Sequence, residues 1–340
     1  MRSFSWRGHR YGGVGRDHWW RANLALDPET DFVAMYRHLL QYEFPWDYNQ
    51  ALSFALFRTY AVPGVGRLLF ETGAFTEQVQ KRYDDTTLLL EPPLVHGFEH
   101  PEARTAIRRI NRMHRSYDIP NHEMLYVLST FVVVPTRWIA DYGKRPLTEA
   151  EVVASTNYYR TLGKHMGIAD IPATYAEFAT LMDDYEAEYF AYDEGGRAVA
   201  DATLALMRTF YPAAAGDAVE LFARAVMDAP LRRALGYPAP PVAVQRASRA
   251  ALKARARVLR AFPARTSPLL VEDLPWIRSY PDGYRVADLG TFPVPGVRGC
   301  PVRHGAGDAV EPGDAVDAVE PGDLATADHP AVPAAPSPVG

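Results

Sequence analysis

The sequence predicts an all-α fold. Apolar residues recur at helical spacing almost throughout residues 31 to 262, and two stretches match helix capping boxes. Clean alternation of apolar and polar residues, the mark of a half-buried strand, is scarce. The 340 residues are enough for one large domain or two small ones, and 48% hydrophobic and 23% charged residues are the composition of a soluble globular protein. The domain is expected over residues 31–295, between an N-terminal arm (1–30) and a low-complexity tail (296–340).

The arm shows little periodicity. It is basic and aromatic but has no apolar h-region, so it does not read as a secretory signal. VPGVGRLLF (62–70) reads as a turn that starts a helix. In the stretch from Pro101 to Tyr117, Ile107, Ile110, His114 and Tyr117 fall on one helical stripe, with Arg104, Arg108, Arg112 and Arg115 mostly on the other side. His114 therefore points where the core should be. The apolar run Met124–Val134 is too short to span a bilayer, and Pro135 is expected to break its helix before Arg137 and Trp138. TEAE (148–151) and TYAE (174–177) are the capping boxes, and Gly167 and Gly236 are expected helix stops. Residues 244–262 form a basic amphipathic helix, packed on the core or lying on a membrane surface. After Pro263 the chain becomes proline-rich. Near Gly305 it turns to Pro, Ala and Asp with DAVEPGD repeated, a composition that predicts disorder.

The net charge of −5 supplies no field that would recruit nucleic acid. The single cysteine, Cys300, excludes an internal disulfide framework and any multi-cysteine metal site, consistent with a cytoplasmic location. No P-loop, G-x-S-x-G or G-x-G-x-x-G motif is present. No histidine has a glutamate three residues before it, which disfavours a di-iron carboxylate site. VPGVRGCPV (294–302) imitates part of a thiolate-haem loop, but its spacing is wrong and its partner E-x-x-R could only be Glu194–Arg197, whose two glycines make a poor helix. HGFEH (96–100) offers a histidine pair; with no third ligand evident, these read as ordinary loop histidines.

Two features could carry chemistry. An imidazole facing an apolar pocket, as at His114, is either a core residue or what a haem iron needs. In KRYDDTTLLL (81–90), Arg82 and Thr86 share a helix face beside Asp84 and Asp85. They make either an ordinary surface or an Arg that pairs with a propionate or polarises bound oxygen.

The run from RTYAVPGVGRLLFETGAF (58–75) through KRYDDTTLLL and RRINRMH (108–114) to NHEMLYVLSTFVVVPTRWIADYGKRPLTEAE (121–151) resembles the MpaB/rubber-oxygenase family. The similarity extends over residues 35–210. The resemblance implies a single globin-like helical domain around haem b that oxidatively cleaves C=C bonds of a lipophilic, isoprenoid or prenylated substrate with dioxygen. It implies His114 as the iron ligand, Arg82 and Thr86 as the catalytic pair beside the haem, and Arg109 and Asn111 as further cofactor-binding residues. Rubber oxygenases carry a lysine just before the threonine; here that position is Asp85. Their general-base glutamate has no clear counterpart, and Glu71 lies nearest. The change at Asp85 keeps open a haem-dependent tailoring oxidase or peroxygenase. A helical binding protein, with His114 a core residue, is the reading from another class.

Overall fold

The computed structural model describes residues 3–6 and 8–291. The Cys300 loop and the repeats of the expected tail lie outside the described residues. The fold is predominantly helical. A short antiparallel hairpin, β1 (Phe4–Trp6) and β2 (His9–Tyr11), opens the described chain. The helices follow in order: α1 (His18–Leu24), α2 (Phe32–Arg37), α3 (Pro45–Tyr60), α4 (Pro63–Glu71), α5 (Ala74–Glu77), α6 (Val79–His96) and α7 (Pro101–Arg115). Then come α8 (Asn121–Tyr142), α9 (Glu149–His165), α10 (Tyr175–Tyr189), α11 (Glu194–Arg208), α12 (Gly216–Val226), α13 (Ala229–Ala234) and α14 (Val242–Leu259). A π-helical turn, His38–Glu43, links α2 to α3.

Local chemistry sets the boundaries. Both capping boxes form: Thr148 accepts from the Glu151 N–H at 3.2 Å while Glu151 accepts from the Thr148 N–H at 2.9 Å, and Thr174 and Glu177 repeat the exchange. Gly167 and Gly236 adopt positive φ (75° and 65°) just past α9 and α13, as expected of helix stops. Pro63 occupies the first turn of α4, where its missing N–H is harmless.

The arm (1–30) is tied to the segment after α14, with Gly12 N donating to Ala264 O at 2.9 Å and Thr266 N to Arg10 O at 2.8 Å. Two expectations are corrected. Pro135 does not break α8, whose helix runs on to Tyr142 with Pro135 itself buried, so Arg137 and Trp138 are mid-helix. Gly195 and Gly196 do not prevent a helix. They form the first turn of α11, capped by Asp193, which accepts from both N–H groups at 2.9 and 3.1 Å. Arg197 then pairs with Asp201 at 2.8 Å.

Those glycines are used for close packing. A Cβ on Gly66 would lie 2.5 Å from Tyr60 O and 2.7 Å from the Gly196 Cα, so α4 and α11 cross backbone to backbone. Gly66→Ala is expected to destabilise the fold by about 1–3 kcal/mol, because backbone, not a flexible side chain, must give way. Urea unfolding measures it; an unchanged midpoint would refute the close crossing.

The core is centred on α3 and α8, with Phe57, Tyr126, Val133 and Ile139 fully or nearly fully buried. α14 buries Leu252 and Ala256 and pins Arg255 to Asp47 at 2.9 Å. The segment after α14 runs back as an irregular strap onto α6. Asp84 accepts from Arg278 N, Ser279 N and Ser279 Oγ at 2.7–3.0 Å. Asp85 is wholly buried and pairs with Lys81 at 2.6 Å while accepting from Tyr280.

Candidate cofactor and substrate cavity

α6 and α7 pack side by side and present His114, Arg82 and Thr86 to one apolar cavity of about 250 Å³. The α7 stripe forms as the periodicity requires: Ile107 and Ile110 are buried, His114 opens onto the cavity, and Arg104, Arg108, Arg112 and Arg115 face solvent. Val65, Leu69, Phe75, Val127, Phe131 and Leu162 bring α4, α5, α8 and α9 to the remaining walls.

Apart from threonine and tyrosine hydroxyls, the polar side chains on its lining are His114, Arg82 and Glu123. His114 Nδ1 is buried without a hydrogen-bond partner among the described residues. Burial, reinforced by the nearby Arg82 cation, pulls the imidazole down to about 4. It is therefore neutral at pH 7 and has a lone pair to offer. Arg82 donates from Nη1 to Thr86 Oγ1, which donates to the Arg82 carbonyl at 2.7 Å. Its guanidinium lies 4.8 Å from the Phe75 ring centre and is in no ion pair among the described residues. Burial holds its pKa below the ordinary value. A buried cation with no paired carboxylate, facing an imidazole with an orphaned nitrogen, suits a group that brings both an anion and a metal.

His114 also makes the fold acid-sensitive. Between pH 6.5 and about 4 the unfolded chain binds a proton that the folded one refuses, so stability falls as pH falls. The expected loss is about 3 kcal/mol by pH 4. Unfolding curves of the parent and His114→Leu at pH 7 and pH 4.5 check it: the gap between them should move in the variant's favour at pH 4.5. A pH-independent gap would mean that His114 is ordinarily solvated.

Arg109 and Asn111 sit elsewhere. Arg109 donates from Nε to Leu289 O at 2.8 Å, anchoring the strap, and Asn111 donates to His165 O at 2.9 Å. Neither lines the cavity. Asp85 does not line it either, since its carboxylate is turned to Lys81 and Tyr280. Glu71 is exposed and off the cavity.

The carboxyl that does line it is Glu123, in the first turn of α8. Burial raises its pKa above the ordinary glutamate range, against a smaller opposing effect of His122. Gly64 leaves room for it, because a Cβ there would strike Glu123 Oε1. In the sequence, Glu123 looks like any acidic residue at a helix start, and nothing local marks it as facing a cavity beside Gly64. The HGFEH histidines flank the α6–α7 break, with their rings stacked at 4.4 Å. Contrary to the expectation of no third ligand, Glu102 joins them, the ligand atoms lying within 4.8 Å of one another on the surface. His100 Nδ1 is already engaged, accepting from the Glu102 N–H at 3.3 Å.

Comparison with known proteins identifies the family. The sequence profile of the family described as ER-bound oxygenase mpaB/B'/Rubber oxygenase, catalytic domain, matches residues 48–261, more than half of the chain. ER-bound oxygenase mpaB' of Penicillium brevicompactum is 29% identical over 75% of this chain and 64% of its own length. ER-bound oxygenase mpaB of Penicillium roqueforti is 29% identical over 64% of this chain and 79% of its own. The mpaB protein of Penicillium brevicompactum is 29% identical over 55% of this chain and only 52% of its own length, so the chain spans about half to four-fifths of these relatives. Among the described residues no helix is long and apolar enough to cross a membrane. The chain belongs to the MpaB/rubber-oxygenase catalytic-domain family and carries an oxygenase domain.

Proposed function

We propose that this chain is a haem-b oxygenase acting on a lipophilic, isoprenoid-type alkene by oxidative C=C cleavage. The observation that carries the reading is the pairing of a neutral, orphaned imidazole at His114 with an Arg82 guanidinium in no ion pair, in one apolar cavity. A globin-like arrangement around the haem belongs to the same proposal. Bound haem would supply the redox-active iron at which dioxygen is used.

The side chains divide the remaining work. His114 would hold the iron through a lone pair of its neutral ring. Arg82, steadied by Thr86, would neutralise a propionate or stabilise negative charge in the cavity. The aliphatic and aromatic walls exclude water and grip a hydrocarbon. Glu123 can hold a proton at a carboxyl oxygen inside the cavity, the place of a general acid or base. A surface contact with lipid through 244–262 is consistent with exposed Val258 on α14 and exposed Phe262 just beyond its end, the helix also exposing Arg246, Lys253 and Arg257.

Turnover of prenylated alkenes under isotopically labelled dioxygen tests the reaction. Cleavage places one labelled oxygen in each carbonyl fragment. Unlabelled, uncleaved product would instead support the tailoring oxidase, which the absence of a lysine beside Thr86 favours: Asp85 stands there, turned away from the cavity.

A further inference from the structure

A second chamber of about 150 Å³ adjoins the His114 cavity, sharing with it the side chains of Leu56, Thr86, Leu90 and Phe131. Its far side is built from the π-helical turn, the start of α3, and the strap residues 269–274. The strap is tied down at both edges: Leu269 N donates to Gln41 O at 3.0 Å, and Val271 N to Glu91 Oε1 at 2.6 Å. The π-turn matters because an i→i+5 turn rotates side chains off the ordinary helical stripe and is often found at functional sites. Here it brings a polar residue, Gln41, to a chamber otherwise walled mainly by leucine and tyrosine.

Gln41 is 2% exposed, yet its amide Nε2 has no hydrogen-bond partner among the described residues. An amide N–H₂ left unsatisfied in an apolar chamber costs free energy that a bound acceptor would recover. Tyr48, whose buried hydroxyl is likewise unpartnered among the described residues, lines the same chamber with Asn49 and Ser53. Glu91, its one carboxyl, is pushed up to about 7 by burial against the Val271 N–H that it accepts from, with Glu272, Asp273 and Glu102 adding to the rise. An anionic end group would be repelled there, whereas a neutral oxygen would not.

We propose that this chamber is a second subsite, in which Gln41 Nε2 receives the uncharged oxygen-bearing end, a hydroxyl or carbonyl, of a long lipophilic molecule whose hydrocarbon part extends past Thr86 and Leu90 into the His114 cavity. This deepens the proposed function and rests on it for the role of the His114 cavity. The substrate class is then an amphiphile with a neutral polar terminus rather than a pure hydrocarbon or a fatty acid. The shared wall sets which carbon of the chain lies beside His114.

The test is displacement of a fluorescent hydrophobic probe from the full chain by 1-decanol, decane and decanoate, with absorption spectra of haem-loaded samples alongside. Gln41→Leu keeps the volume and removes the donor. It should weaken 1-decanol about 5–10-fold, as for one lost neutral hydrogen bond, and shift decane less than about two-fold. Leu52→Trp, which fills the chamber without touching the His114 cavity, should weaken both about ten-fold or more. Equal effects of Gln41→Leu on decanol and decane, or no effect on either, would overturn the subsite. So would tightest binding of decanoate with loss in Arg82→Met, which places the polar end beside Arg82. Loss of the haem spectrum in Gln41→Leu would give the chamber to the cofactor and also overturn the proposal. A colourless parent that keeps the decanol selectivity would leave the subsite standing and sink the oxygenase reading.

Discussion

His114→Ala is expected to lower haem affinity on the order of 100-fold or more and to abolish turnover, while leaving the fold intact. The two halves of this expectation come from the same geometry. The imidazole lines the cavity and its Nδ1 has no partner among the described residues, so its removal breaks no hydrogen bond from that nitrogen. Because burial already keeps the ring neutral, ligation need not displace a proton until the pH approaches 4. Haem retention in the parent should therefore hold from pH 7 to about pH 5, where an ordinary histidine would already be protonated. Added imidazole should restore part of the spectrum by entering the space vacated in the alanine variant. An alanine variant that keeps a parent-like spectrum would move the ligand elsewhere.

Arg58→Met is expected to cost about 3–5 kcal/mol of stability, because it leaves a buried carboxylate without its cation. Arg58 on α3 grips both oxygens of Glu186 on α10, with Nε to Oε1 at 2.6 Å, and also pairs with Asp228, which caps α13. Tyr126 on α8 donates to Glu186 Oε1 at 3.2 Å. Four helices thus meet in one network around Arg58, whose side chain is 14% exposed. Burial outweighs the pairing at Glu186, whose pKa lies above the ordinary value even with Arg58 present. Without Arg58 that carboxylate is a buried charge with no cation, and its pKa must climb further. The loss should shrink as pH falls and Glu186 takes up a proton, because the penalty belongs to the ionised form. Urea unfolding of Arg58→Met and of Arg58→Met/Glu186→Leu measures it. The double variant should recover most of the stability; equal losses in both would mean that the pair contributes only packing.

The parts of the molecule legible in the sequence are those written in short-range periodicity. The α7 stripe, the Arg82–Thr86 pair, both capping boxes and the glycine stops depend on neighbours three to five residues away. What was not legible depends on partners far along the chain. Asp84 and Asp85 look like a helix surface next to Arg82, but they are buried by a strap that returns about two hundred residues later. Arg109 lies in the same stretch as His114, yet five residues place it about 140° around the helix, toward Leu289. Glu123 and Gln41 acquire meaning only from the cavities they line. Pro135 and the Gly195–Gly196 pair depart from local expectation for one reason. Local propensity argues against a helix, and tertiary packing, against the core in one case and against Gly66 in the other, overrides it.

The proposed chemistry depends on haem binding beside His114. The decisive measurement is the visible absorption spectrum of the purified full chain after haem addition, oxidised and then dithionite-reduced. A haem held there gives a stoichiometric Soret band that shifts on reduction and is lost in His114→Ala. A parent protein that stays colourless after reconstitution, folded and with its cavity intact, would contradict it and leave a helical binding protein in its place.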